Sequence, residues 1–458
     1  MRKRFDFDLV VLGSGDAGGE AALMAAQAGL KVALVESNKW GGSSQNYSNV
    51  PFGALFYAAQ QFKIALTGSK FGLSSTGLRY NYPTVNNWKN LALKRAKANN
   101  KKVFEDAGIS CLHGRGHLLS NHEISVNDET IRAKRILVAT GAATLDTGIK
   151  IPANLEYWLP ENVLEMIRPP KTIFIVGAGS TGCELAQFFS ILGTQVIIAD
   201  IAARLMPRED EEVGQVLDEI FNKDKIKVLT QSRVIALEKD GLGKKVIFLR
   251  GGQEKSLRVD EVLVCTGNAP NIDIGLENAG VNFNQRGIIV NEHCRTSAKN
   301  IYAAGDVLGG HSSTERALIE AHAAVADILG RGKKNPIDYS GVIRLTNMNP
   351  GVAEVGITED DCIRHDQKID KVVVALSAVQ KANTSDNTTG FVKLIMAKRS
   401  HKILGGTVMA PHAGLIAQEL AMAVRFEMTA YELAKVPHLT NDWSELIRVA
   451  CEQALKKR

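Results

Sequence analysis

One local pattern occurs twice in this chain, and few folds accommodate it. Near the N-terminus an apolar run over residues 7–12 leads into Gly13-Ser14-Gly15-Asp16-Ala17-Gly18 and then an alanine-rich stretch over 20–30. Later an apolar run over 172–176 leads into Gly177-Ala178-Gly179-Ser180-Thr181-Gly182 and an apolar stretch over 183–192. Each reads as strand, tight turn, helix. Glycines at this spacing let the backbone approach a pyrophosphate, and the helix N-terminus supplies amide donors and the positive end of its dipole. Each unit also ends its next strand on an acid, Glu36 after 32–35 and Asp200 after 195–199. A carboxylate there binds a ribose diol and repels a 2′-phosphate. One such turn is weak evidence. Two, each with strand, helix and acid, predict an α/β fold with two Rossmann-like dinucleotide-binding domains. Asp200 predicts NADH over NADPH, and Arg204 is the nearby cation that could instead accept a 2′-phosphate.

A third segment, Asn300-Ile301-Tyr302-Ala303-Ala304-Gly305-Asp306-Val307, reads as a strand ending in Gly-Asp. Together with Ile136-Leu137-Val138-Ala139-Thr140-Gly141, it makes the chain resemble flavoproteins with one dinucleotide fold for FAD and another for NAD(P)H. The likeness continues through Gly41-Gly42-Ser43, Cys265-Thr266-Gly267-Asn268-Ala269-Pro270-Asn271, Thr389-Gly390-Phe391, Ile403-Leu404-Gly405-Gly406 and Trp443-Ser444-Glu445-Leu446. The chain resembles the class I pyridine nucleotide-disulfide oxidoreductases of the dihydrolipoamide dehydrogenase and mercuric reductase type.

That resemblance implies FAD on the first unit, held by Gly13, Gly15, Gly18, Glu36, Gly42, Ser43, Ser44, Gly116, Thr140, Gly141, Asp306 and Thr314. It implies NAD(H) on the second, held by Gly177, Gly179, Gly182, Glu184, Asp200, Val234 and Gly267. The domains expected are an FAD-binding part over 1–150, an NAD(P)-binding domain over 151–267, a return to the FAD domain over 268–335, and an α+β dimerisation domain over 336–458. A chain of 458 residues is long enough for about three domains of ~150 residues. A homodimer follows, with Trp443 and the helix it opens expected to pack across the interface.

The departures from the family pattern are local. In the family, a Gly-Gly-Thr-Cys-x-Asn-x-Gly-Cys-x-Pro stretch carries the redox disulfide. Here it reads Gly41-Gly42-Ser43-Ser44-Gln45-Asn46-Tyr47-Ser48-Asn49-Val50-Pro51, with Asn46, Pro51 and Ala54 holding the register. Ser44 and Asn49 stand at the cysteine positions, and neither side chain can cycle between thiol and disulfide. The family lysine near the flavin is Gly53, so its usual partner, Glu184, is expected to be partly solvated or to have a raised pKa. The family's catalytic histidine lies in His-Pro-Thr-x-x-Glu. Here Pro437-His438-Leu439-Thr440-Asn441-Asp442-Trp443-Ser444-Glu445 aligns without a gap to put Thr440 at the base position, while a local shift puts His438 there. His438 is thus the candidate catalytic residue, with a structural role as its alternative.

Composition excludes several classes. A net charge of +6 is small for this length, and the basic clusters at Lys101-Lys102, Lys333-Lys334, 398–402 and Lys456-Lys457-Arg458 read as solvated surface, so no nucleic-acid partner is expected. No apolar stretch is long enough to span a membrane. Met1-Arg2-Lys3-Arg4 before an apolar run resembles a leader, but that run is the first strand, so a cytoplasmic enzyme is expected. The 6 cysteines, Cys111, Cys183, Cys265, Cys294, Cys362 and Cys451, form no CxxC or CxxxxC pair, and no metal site is expected. The function expected is an FAD-dependent oxidoreductase passing electrons from NADH to a small-molecule acceptor other than a disulfide: a quinone, a dye-like acceptor or oxygen. The competing readings are a dihydrolipoamide dehydrogenase or mercuric reductase, and a non-catalytic flavin-binding dimer.

Overall fold

A computed structural model describes residues 5–74, 76–97, 100–145, 147–332 and 336–456. The basic residues at 1–4, 333–334 and 457–458 lie outside them. Among the described residues, no helix is long and apolar enough to cross a membrane.

The first glycine turn joins the strand Phe7–Leu12 to the helix Asp16–Gln27. That strand is central in a parallel sheet, paired with Val32–Glu36 on one side and Glu129–Val138 on the other. Ser110–His113 extends the first edge, and Ile301–Ala303 pairs in parallel with Glu129–Val138. The strand before Gly305-Asp306 therefore returns to the first sheet from far along the chain. Strands buried on both faces read as continuous apolar runs, as 9–12 and 136–138 do.

The second turn joins Thr172–Val176 to Ser180–Ile191. Its four-stranded parallel sheet runs Lys227–Leu229, Gln195–Ala199, Thr172–Val176, Glu261–Val264. An antiparallel meander, Ser232–Asp240, Gly243–Arg250 and Gln253–Val259, covers one side. The two crossovers between units lie side by side, Ala142–Thr144 paired antiparallel with Asn268–Pro270. Both nucleotide helices begin earlier than the sequence suggests, at Asp16 and Ser180 rather than near 20 and 183. The third glycine of each turn belongs to the helix and not to the loop before it.

The C-terminal part is a five-stranded antiparallel sheet carrying the helices Ala413–Arg425 and Glu445–Lys456. Trp443 corrects an expectation. Its side chain is 8% exposed and belongs to this domain's own core, with Leu446, Ile447 and Ala450. It is already buried without a partner subunit. The helix after it starts at Glu445, because the Ser444 amide donates to Asp442 Oδ1 at 3.0 Å and turns the chain first.

Lys393, fully buried, fastens this sheet to the second nucleotide unit. Its Nζ lies 2.7 Å from Glu212, 2.8 Å from Glu359 and 3.4 Å from Asp210. Asp210 also accepts from Thr407 Oγ1 at 2.9 Å, and its amide donates to Glu354 at 2.8 Å. Removing a buried cation strands its carboxylates. Lys393→Met is expected to destabilise the protein by ~3–5 kcal/mol, measured by thermal or denaturant unfolding.

Candidate functional site

The geometry of the two turns is nearly the same. Gly13 has φ +101°, and a Cβ on it would meet the Ala139 carbonyl oxygen at 2.2 Å. A Cβ on Gly18 would lie 1.9 Å from the Gly13 oxygen. In the second unit Gly177 has φ +102°, and a Cβ on Gly182 would lie 1.9 Å from the Gly177 oxygen. These outer glycines seat helix against strand. The middle ones face space. A Cβ on Gly179 would meet nothing within 4 Å, and one on Gly15 only Gly42 Cα at 3.8 Å. Gly42 itself has φ +64° and lies against Gly15, so a Cβ on it would clash at 2.4 Å. Each helix thus opens onto bare backbone, the form a pyrophosphate requires.

Both acids close their turns in the same way. Glu36 accepts from the Ser14 amide at 2.9 Å, the Ser14 hydroxyl at 2.6 Å and the Asn38 amide at 2.8 Å. Asp200 accepts from the Ala178 amide at 2.6 Å and the Ala202 amide at 2.8 Å. Carboxylate lone pairs remain for ribose hydroxyls. Arg204 points elsewhere, donating to the Glu209 carbonyl at 2.8 Å and reaching Asp360 at 3.3 Å.

The remaining first-unit residues surround the cradle. Thr140 and Asn271 bond reciprocally, Oγ1 to carbonyl at 2.8 Å and Nδ2 to carbonyl at 2.9 Å, and the Gly141 carbonyl accepts from the Asn271 amide. Gly116 packs against Leu12, whose Cδ2 would have to shift to admit a Cβ there. Asp306 accepts from Ser312 Oγ at 2.6 Å and follows Gly305, whose amide donates to buried Glu320 at 2.7 Å. Ser43 is exposed. In the second unit Gly267 adopts φ +106° in open space, and its carbonyl accepts from the Leu145 amide. Val234 lies in the core beneath the second turn. Its side chain is buried among Phe174, Val176 and Leu237. Beside the cradles, Gln45 Oε1 next to Ser44 and Thr266 Oγ1 next to Gly267 are buried with no hydrogen-bond partner among the described residues. The bare cradles, the two acids and these oxygens fit two dinucleotides.

Ser44 and Asn49 meet in space. Asn49 Nδ2 donates to Ser44 Oγ and Thr314 Oγ1, each at 3.2 Å. Thr314 Oγ1 donates to Asp16 Oδ2 at 2.6 Å. Sequence reasoning gave no role to Asp16 or Ser14. The signal available was their place inside the first glycine turn. No thiol takes part. Cys183, Cys265 and Cys294 are held well above the ordinary thiol range by burial, and Cys451 is pushed up to about 12.

Glu184 follows Cys183 in the second helix. Its carboxylate accepts the Asn347 amide, and burial pushes its pKa up to about 7. Gly53 is exposed on the facing helix, Asn49–Thr67, where a Cβ would meet nothing within 4 Å. His438 is turned into its own subunit. Its Nε2 lies 2.7 Å from Glu419 Oε1 and its Nδ1 2.7 Å from the Val436 carbonyl, while Leu439 and Thr440 are exposed. Glu445 pairs instead with Arg448 at 2.8 Å.

The comparisons agree with this architecture. Residues 7–327 match the pyridine nucleotide-disulphide oxidoreductase family, and 342–450 match the family's dimerisation domain. A dihydrolipoyl dehydrogenase of Chlorobaculum tepidum is 31% identical over 459 residues, covering 98% of this chain and 97% of that one. A mercuric reductase of Staphylococcus aureus is 30% identical over 440 residues, covering 95% and 80%. In fold, the chain superposes on the flavoprotein disulfide reductase RclA of Escherichia coli, as its Cu(II) complex, with a TM-score of 0.87 at 24% identity, covering 99% of this chain and all of that one. The chain belongs to the pyridine nucleotide-disulphide oxidoreductase family, whose members are flavoproteins using FAD and NAD(H).

Two outcomes test the site. Gly18→Ala should unfold the first unit or lower its thermal midpoint sharply, whereas Gly15→Ala should keep the apo fold and lose FAD, read by flavin absorbance after gel filtration. Glu184 titrates higher folded than unfolded, so its stabilising contribution is present below its ordinary value of 4.5 and is lost as pH rises toward 7. Glu184→Gln should therefore match the wild type in stability near pH 4.5 and exceed it at pH 8.

Proposed function

We propose that this protein is an FAD-dependent NADH oxidoreductase that delivers electrons to a small-molecule acceptor other than a disulfide. The observation carrying this reading is the hydrogen-bonded chain from Ser44 through Asn49 and Thr314 to Asp16. Hydroxyl and amide groups stand where the family alignment puts sulfur. They can hydrogen-bond a carbonyl-bearing acceptor and cannot take up electrons as a disulfide does. Bound FAD and NADH supply the hydride chemistry. The protein supplies position. Gly15 and Gly42 admit the FAD pyrophosphate to the amides opening the first helix, and Glu36 takes the adenosine ribose. Gly179 and Asp200 do the same for NADH in the second unit.

The working form is a homodimer through the C-terminal domain in the cytoplasm. Leu415 and Met422 on the helix Ala413–Arg425, and Phe426 at its C-terminal cap, are all more than half exposed and support a partner there. Thr440, also exposed, is the residue presented at the family's base position, and His438 braces the segment through Glu419.

Adding NADH anaerobically to the flavin-loaded protein should bleach the flavin, and a quinone or ferricyanide should restore its colour. NADPH should act far more weakly, and Asp200→Ala should cost about 1.5–3 kcal/mol in NADH affinity. Absence of bleaching would favour a non-catalytic flavoprotein. Turnover of dihydrolipoamide near ~10 per second would favour the dihydrolipoyl dehydrogenase reading that several relatives' names carry.

A further inference from the structure

One part of the chain carries charge of a single sign. Residues 37–104 hold ten lysines and arginines and no aspartate or glutamate, more positive charge than the whole chain's net +6. Two helices, Asn49–Thr67 and Tyr82–Lys97, make up most of this stretch and pack against each other. The connection between them ends the hairpin in apolar side chains. Ile64, Leu66, Phe71, Leu73 and Leu78 are each between 39% and 59% exposed.

The second helix continues the pattern. Trp88 and Leu91 are exposed, and Arg95 follows them seven and four residues on, a spacing that keeps all three on one helix face. The Arg95 guanidinium lies 6.0 Å from the centre of the Trp88 ring. Lys89, out of phase with that face, is buried and donates to the Leu164 carbonyl. Lys63, Lys70 and Lys101 are paired with Asp224, Asp386 and Glu105. Arg79, Lys94 and Arg95 are exposed and in no ion pair among the described residues.

A cluster of exposed apolar side chains marks a surface that meets something less polar than water. A second copy of the chain seated here across a twofold axis would set this patch against itself. Positive charge would face positive charge, and the stretch has no carboxylate to pair with it. An anionic bilayer complements both features. Its headgroup phosphates suit the bases, and its acyl boundary suits the apolar tip. Tryptophan settles at that boundary, and arginine extends its charge toward the headgroups from there.

We propose that the hairpin tip around Phe71 and Leu73, with the Trp88 face of the second helix, is a docking surface for an anionic lipid bilayer. The apolar side chains enter the boundary between headgroups and acyl chains, and Arg79, Lys94 and Arg95 meet the phosphates. The attachment is peripheral, since among the described residues no helix is long and apolar enough to cross a membrane. It stands on this surface alone and does not depend on the electron acceptor proposed above.

The test uses the full-length, flavin-loaded protein, sedimented with vesicles of phosphatidylcholine alone or mixed with phosphatidylglycerol. The wild type should pellet with the mixed vesicles, stay in solution with phosphatidylcholine, and be released as salt is raised. The combined variant Arg79→Glu, Lys94→Glu, Arg95→Glu should weaken partitioning by at least about a hundredfold. Phe71→Ser together with Leu73→Ser should weaken it by at least about tenfold. Flavin content and thermal midpoint should stay unchanged in both, because these side chains are exposed. Fluorescence should shift to the blue on mixed vesicles, and that shift should vanish in Trp88→Phe. Equal binding to both kinds of vesicle, no binding, or unaltered binding in both combined variants overturns the inference. Dissociation of the dimer by Phe71→Ser and Leu73→Ser without lipid, in a protein that does not pellet with vesicles, assigns the tip to a second copy and overturns it as well.

Discussion

The Gly13 carbonyl oxygen lies 1.9 Å from where a Cβ on Gly18 would stand, and the same distance separates the Gly177 oxygen from a Cβ on Gly182. Both nucleotide units depend on that approach. It lets the helix start within van der Waals reach of the strand, which aims its unpaired amides along the sheet's edge. The acid at the end of the next strand then binds the amide of the residue after the first glycine, Ser14 in one unit and Ala178 in the other. Strand, helix and neighbouring strand are thereby tied at one point. The backbone at Gly15 and Gly179 is left bare because the outer glycines and the acids do the structural work around it.

Those features were readable from the chain because they are local. The strands Phe7–Leu12 and Thr172–Val176 fall where continuous apolar runs put them. The helix starts were read too late, because a glycine inside a helix looks like a turn until the carbonyl packed against it is seen. The antiparallel meander over 232–259 went unread, since its strands mix lysine, glutamate and apolar residues on a half-exposed surface. Lys393 looked like an ordinary strand residue. Its partners Asp210, Glu212 and Glu359 are remote in sequence, and no local pattern announces a buried cation.

The site shows the same division. Glycines and terminal acids declared themselves by spacing. The hydrogen bond between Asp16 and Thr314 did not, because it joins residues 298 apart. The two alignments around His438 could not be separated by sequence, whereas its bond to Glu419 gives it a bracing position inside its own subunit. Trp443 was assigned to an interface on the general habit of buried aromatics, and the chain's own core claims it.

Glu184 and Asp16 follow one electrostatic logic, one in each nucleotide helix. Each is a carboxyl held above its ordinary range by burial, and neither has a cation beside it to offset that burial. At Glu184 the partner is the Asn347 amide, and Gly53 on the facing helix brings no side chain toward it. At Asp16 the partner is the Thr314 hydroxyl, which is linked through Asn49 to Ser44. In both places neutral donors, and not an ion pair, offset the burial of a carboxyl, which is why the two acids shift in the same direction.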